Sequence, residues 1–183
     1  MAYDFNNVTE VRLSHGSHKT PQEGLCFMEM VAWFAGESHS DQPRCACPVL
    51  GRYGIGLNDN MPDDLRDRLL KPVVPLIAGT IGTREDEVRR AEFLAMWTIN
   101  KILPLALKAI GLEDHATACT TAADLPAAKA AADAADAADA REEVFTVAVD
   151  GLRQAILIGP HEGFDQLVDL GMRHDALRAL VSA

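Results

Sequence analysis

From Leu25 to Ala35 the chain reads LCFMEMVAWFA, apolar at every position except Glu29. Wound as a helix, this stretch has no polar face, so it belongs in the middle of its domain. A carboxylate held there costs several kcal/mol unless it is paired, protonated or set at a pocket wall. The sequence offers Arg52, Arg89 and Arg90 as partners for an ion pair that would lock two helices. The alternative is a ligand-binding or acid–base role for Glu29. Cys26 lies three residues before it and Trp33 four after, which places both on its helical face.

That helix is expected to start near Pro21, a residue tolerated in a first turn, and to stop at Gly36. A polar-rich block from Gly24 to Asn60 takes in this helix and carries three of the four cysteines, Cys26, Cys45 and Cys47. Within it Glu37, His39 and Asp41 follow directly on Gly36, in a run of residue types that favour turns and caps. A second helix is expected from Pro48 with Cys47 as its N-cap, shortened or broken by Gly51, Gly54 and Gly56. The glycines follow no strand, so they mark close helix approach and not a dinucleotide loop. Asn58, Asp59 and Asn60 read as caps for a third helix, which ends before Pro72. A further turn or two, with Pro75 inside, closes at Gly79.

Thr83 with Asp86 three residues on forms a capping box for a long helix reaching Gly111, kinked or ended at Pro104. Its apolar positions Val88, Ala91, Leu94, Ala95, Thr98, Ile99 and Ile102 fit a 3.6-residue period. The tract from Pro126 to Arg141 is alanine-rich with aspartates every third residue, helical by propensity but poor in core. Phe145, Val149, Leu152 and Ile156 then give an amphipathic helix, and a last helix is expected over residues 161–180. The fold class is all-α: a single irregular bundle of about seven or eight helices. Residues 1–20 form an irregular N-terminal segment and 21–183 the helical domain, with the polar block at 24–60 and the alanine-rich segment at 126–141.

A net charge of −10 argues against nucleic acid, which needs clustered Lys and Arg; Arg66, Arg68 and Lys71 are diluted by Asp63, Asp64 and Asp67. A basic protein surface or a cationic ligand suits the charge better. No apolar run approaches the ~18 residues of a membrane span, so no membrane partner is expected. The N-terminus MAYDFNNVTE lacks the features of a signal peptide, so a cytoplasmic protein with free thiols is expected.

The candidate ligand-binding residues are Cys26, Glu29, Trp33, Glu37, His39, Asp41 and Cys45. The catalytic alternative is a hydrolase or transferase with Glu29 or Glu37 as general base, assisted by His39 or Asp41. Zinc is disfavoured because Cys45 and Cys47 are spaced C-x-C, and residues two apart point away from each other. No metal and no cofactor are expected. Cys47, at a helix N-terminus near His39, is a weaker candidate nucleophile. His15 and His18 read as surface residues.

The stretch from Gly24 to about Ala116 resembles an uncharacterised family of bacterial and phage proteins. The resemblance rests on Gly24, Cys26, Met28, Glu29, Gly36, Glu37, Asp41, Pro43, Cys45 and Pro48-Val49, and continues through Asn58-Asp59, Pro62-Asp63, RLLKPVVPLIAGT and Arg89-Arg90-Ala91. An alanine-rich tract often follows in that family, as it does here after Leu125. Its members carry serine or another small residue where this chain has Cys47, which counts against both the metal and the nucleophile readings. The resemblance implies no particular activity. The expected function is therefore binding of a small ligand or protein partner through the polar block, with catalysis or self-association into a homo-oligomer as alternatives.

Overall fold

The computed structural model describes residues 11–122 and 141–159. The described residues hold six helices: α1 (Phe27–Phe34), α2 (Pro48–Asn60), α3 (63–77), α4 (84–109), α5 (Glu113–Thr121) and α6 (Arg141–Ile156). Among these residues the β structure is a single isolated parallel bridge between Leu13 and Leu25. The fold is all-α, with six helices among the described residues against about seven or eight expected for the whole chain. The alanine-rich tract and the expected last helix lie outside the described residues.

α1 is the buried centre that its composition demands. Phe27, Met28, Met30, Val31 and Ala32 have almost no exposed surface. α2 and the end of α3 pack on it, and α6 packs in turn across α2, α4 and the end of α3. α6 delivers Val149, Leu152 and Ile156 into the core, with Phe145 packed against its edge, as its periodicity requires.

α1 starts six residues later than Pro21. Glu23 N–H donates to the Thr20 carbonyl in a turn, and Gly24 has φ +144, outside any helical region. Only at Cys26 does the backbone enter the helix, with the Glu29 carboxylate reaching back to its N–H. The irregular N-terminal stretch therefore extends to Cys26.

α2 is an unbroken 13-residue helix, N-capped by Cys47 with Pro48 in its first turn. Its glycines do not break it because two of them face α1. A Cβ on Gly54 would lie 2.4 Å from the Phe27 ring, and one on Gly51 would lie 3.1 Å from the Met28 methyl. Absent side chains let the two helices close.

The prolines do not divide the helices as the sequence suggests. In α3 the α-turn Asp63–Leu65 passes into a π segment Arg66–Leu70, a 3₁₀ turn Lys71–Val73 and a last α-turn Val74–Ile77. In α4 the π segment Thr98–Ile102 lies between Arg84–Trp97 and Leu103–Ala109. Each π segment sits just before a proline, Pro72 or Pro104. A proline ring collides with the carbonyl four residues back, and the wider π turn makes room for it. The helix continues past Pro72, where a stop was expected, and past Pro104 to Ala109 without ending.

α5 had no sequence signal: EDHATACTT lacks an apolar period. It is held by Ala116 and Cys119, which with Leu107 form a small second core.

Candidate functional site

The site is built around the N-terminus of α1. Residues 13–18 cross it as an extended strap, held mainly through their backbone. Leu13 N–H donates to Asp67 Oδ1 (2.8 Å), Gly16 N–H to Asp59 Oδ1 (3.0 Å) and His18 N–H to Glu29 Oε1 (2.6 Å). Asn58, fully buried, donates from Nδ2 to the Ser14 carbonyl (3.0 Å) and accepts Phe27 N–H on Oδ1 (3.2 Å). Asn58 and Asp59 thus anchor the strap from the last turn of α2. This corrects their expected role as caps of the next helix; the passage from α2 into that helix is held instead by Arg66. That buried guanidinium donates to the carbonyls of Asn58 (2.8 Å) and Met61 (2.7 Å) and pairs with Asp63.

Glu29 is 1% exposed, as its surroundings in the sequence require, but no arginine among the described residues partners it. Its Oε2 accepts Cys26 N–H (2.7 Å) and faces His18 Nδ1 (2.9 Å), while Oε1 accepts His18 N–H. None of the three expected partners reaches it. Arg52 is exposed, Arg89 pairs with Asp86, and the fully buried Arg90 donates to the Thr80 carbonyl (2.6 Å). His18, expected on the surface, is instead a partner of Glu29, with its side chain 14% exposed. Gly24 is what admits it: a Cβ there would lie 2.8 Å from the imidazole Nε2. Burial disfavours the Glu29 anion, but the His18 and Cys26 N–H groups and the His18 ring outweigh it and hold the carboxyl below its ordinary range. The same burial, with the Glu29 charge adding to it, pushes the Cys26 thiol up to about 12.

His39 closes the cluster from the loop after α1. Its Nε2 donates to the His18 carbonyl (2.8 Å) and lies 3.7 Å from Glu29 Oε1. Its Nδ1 is buried without a hydrogen-bond partner among the described residues. The structure therefore gathers Cys26, Glu29 and His39, and adds His18.

The other candidates serve different contacts. Glu37 accepts the N–H groups of Arg44 (Oε2, 2.8 Å) and Cys45 (Oε1, 2.8 Å), bracing the loop upon itself. Those bonds outweigh its burial and depress its carboxyl, while burial followed by the Glu37 carboxylate pushes the Cys45 thiol up to about 11. Cys47 is fully buried, and its N–H donates to Thr80 Oγ1 (3.0 Å). Trp33 packs against the core edge.

Asp41 stands apart, in a cavity of about 530 Å³ between the loop and α2. Its floor is Met28, Ala46, Cys47, Gly51 and Ile55, and Arg44 and Arg52 line it with Asp41. Asp41 and Arg52 form no ion pair with any described residue. Arg52 as a cavity wall had no signal beyond its place on the polar side of α2.

Fold and site together define an all-helical protein in which a sealed carboxylate–histidine anchor stands beside an open, apolar-floored cavity. The chain matches no protein-family model, no curated protein and no solved structure. Among the described residues no group of His, Cys, Asp and Glu is placed to hold a metal ion, and no helix is long and apolar enough to cross a membrane.

Proposed function

We propose that this protein binds a small organic molecule in the cavity between the loop 37–47 and α2. One observation carries the reading: an apolar floor ringed by Asp41, Arg44 and Arg52, of which Asp41 and Arg52 have no ion-pair partner among the described residues. A volume of about 530 Å³ with an apolar lining and a few charged groups is what ligand sites have. The floor packs the body of the ligand and the charges orient it. Glu29 and Glu37 have their oxygens engaged by backbone N–H groups and line no part of this cavity, so the proposal gives them framework roles and assigns no reaction. Kinship with the bacterial and phage family, and a cytoplasmic setting, belong to the same proposal.

Native mass spectrometry of the untagged protein tests it. The expected result is a bound small molecule that is lost in Ile55→Trp, which fills the cavity, and kept in Glu23→Gln, an exposed control. A bound molecule equally retained by Ile55→Trp, or a bare chain mass at every concentration, refutes the reading.

A further inference from the structure

On the other side of Arg52 lies a second, shallower depression. α2 and α4 diverge to leave a groove of about 560 Å³ lined by Val49, Tyr53, Ala91, Leu94, Ala95 and Ile99. Its apolar wall is drawn from the stripe of α4 with the 3.6-residue period. Of that stripe only Leu94 is fully buried, while Ala91 is exposed and Val88 is 41% exposed. Thr98 and Ile99, in the π segment, close one end. The Tyr53 hydroxyl is turned away to the Ala148 carbonyl (3.4 Å), which leaves its ring as wall.

The charges of the groove are unequal. Arg84 and Glu87 also line it but pair with each other at 2.7 Å. Arg52 has no ion pair among the described residues. Arg52 and Pro48 line both the groove and the cavity, so the two hollows share one wall with a single uncompensated cation on it.

We infer that the ligand is an amphipathic carboxylate lying across this shared wall. Its apolar tail occupies the groove between α2 and α4, and its anionic head sits at Arg52, on the side where Arg44 lines the cavity. The inference rests on the cavity being a ligand site, and it adds the ligand's shape and charge. Arg52 is the specificity-determining residue, since guanidinium is the side chain whose geometry matches a carboxylate. Asp41, the acidic group of the same cavity, opposes an anion and so limits its affinity. A net charge of −10 does not prevent this, because beyond about 8 Å physiological salt screens the remaining charges from the head group.

Isothermal titration of the full chain with three micromolar probes that share one alkyl tail tests the inference: dodecanoate, dodecanol and dodecyltrimethylammonium. Dodecanoate is expected to bind one to one, about tenfold or more tighter than the other two. Arg52→Gln should bring it to the dodecanol level, and Asp41→Asn should tighten it. Ala91→Trp, which fills the groove from an exposed position, and Ile55→Trp, which fills the cavity, should each weaken it, with unchanged circular-dichroism melts confirming the fold. Equal binding of the three probes, several molecules bound per chain, or no binding overturns the inference. If only Ile55→Trp weakens dodecanoate, the cavity reading stands and the extended ligand falls. If only Ala91→Trp does, both the shared site and the cavity reading fall.

Discussion

Glu29→Gln is the sharpest perturbation the structure offers. The carboxylate accepts two backbone N–H groups, at 2.6 and 2.7 Å, and faces His18 Nδ1 at 2.9 Å, with almost no access to water. Glutamine has one acceptor oxygen. Whichever way its amide turns, an NH₂ group meets either His18 N–H or Cys26 N–H, and one buried donor is left without an acceptor. An unsatisfied buried donor costs about 1–3 kcal/mol, and the surviving bonds lose their charge assistance, about 1 kcal/mol each. A loss of about 3 kcal/mol or more follows, in the range seen when half of a buried pair is removed. At about 2–4 °C per kcal/mol for a chain of this length, Tm falls by about 6–12 °C. Urea unfolding followed by circular dichroism measures it directly. The pH dependence gives a second handle. The folded carboxyl is depressed, so its contribution is complete above the unfolded Glu pKa of about 4.3 and is lost as pH falls through the lower folded value. The gap between wild type and variant should shrink below about pH 4. A variant within about 1 kcal/mol of wild type at neutral pH would show that the anchor contributes little and that the argument from bond count is mistaken.

Gly54→Ala and Gly56→Ala should have opposite signs. At Gly54 the new methyl meets the Phe27 ring, and overpacking of about 1–3 kcal/mol exceeds the helix-propensity gain, while at Gly56 nothing lies within 4 Å and the variant should gain up to about 1 kcal/mol. Two melts decide it, and a stabilised Gly54→Ala would disprove the close approach of α1 and α2. Thr83→Ala removes the N-cap of α4 and should cost about 1 kcal/mol by denaturant titration. Asp86, held down to about 2 by the Thr83 N–H and hydroxyl and by Arg89, should contribute stability above about pH 4 that is lost as pH falls toward 2; nuclear magnetic resonance titration of its carboxyl reads this. Cys26, raised to about 12 and buried, should escape iodoacetamide in the native protein at pH 8 and react once the chain is unfolded, as mass spectrometry after alkylation would report.

What was legible in the sequence was local. The Cys47-Pro48 start of α2, the Thr83–Asp86 capping box and the buried face of α6 depend on neighbours within one or two helical turns, and all three form as read. The burial of Glu29 was legible for the same reason. Its partner was not: His18 is eleven residues away across a non-helical turn, among residues that resemble any solvated loop, and only Gly24 at φ +144 brings its ring in. The candidate site divided for a similar reason. Glu29, Glu37 and Asp41 are close in sequence, yet each belongs to a different contact, because the loop from Gly36 to Cys47 folds back through Glu37 and turns Asp41 toward α2. The stripe on α4 was legible as an apolar face, but what covers that face was not, since periodicity reports a face alone.

The strap has a consequence for how this chain can vary. Three carboxylates on the body capture it, at Asp67, Asp59 and Glu29, and each takes a main-chain amide. Amides are common to every residue but proline, so the body recognises a path and a spacing more than a set of letters. Side-chain identity matters at Leu13, which is buried, and at His18, whose ring meets Glu29. Between them Gly16, at φ +76, disfavours any side chain; elsewhere drift should be nearly free, whereas one residue inserted or deleted between Leu13 and His18 should unseat the whole segment. Tolerance to substitution and intolerance to length are the signature this strap should leave among the chain's descendants.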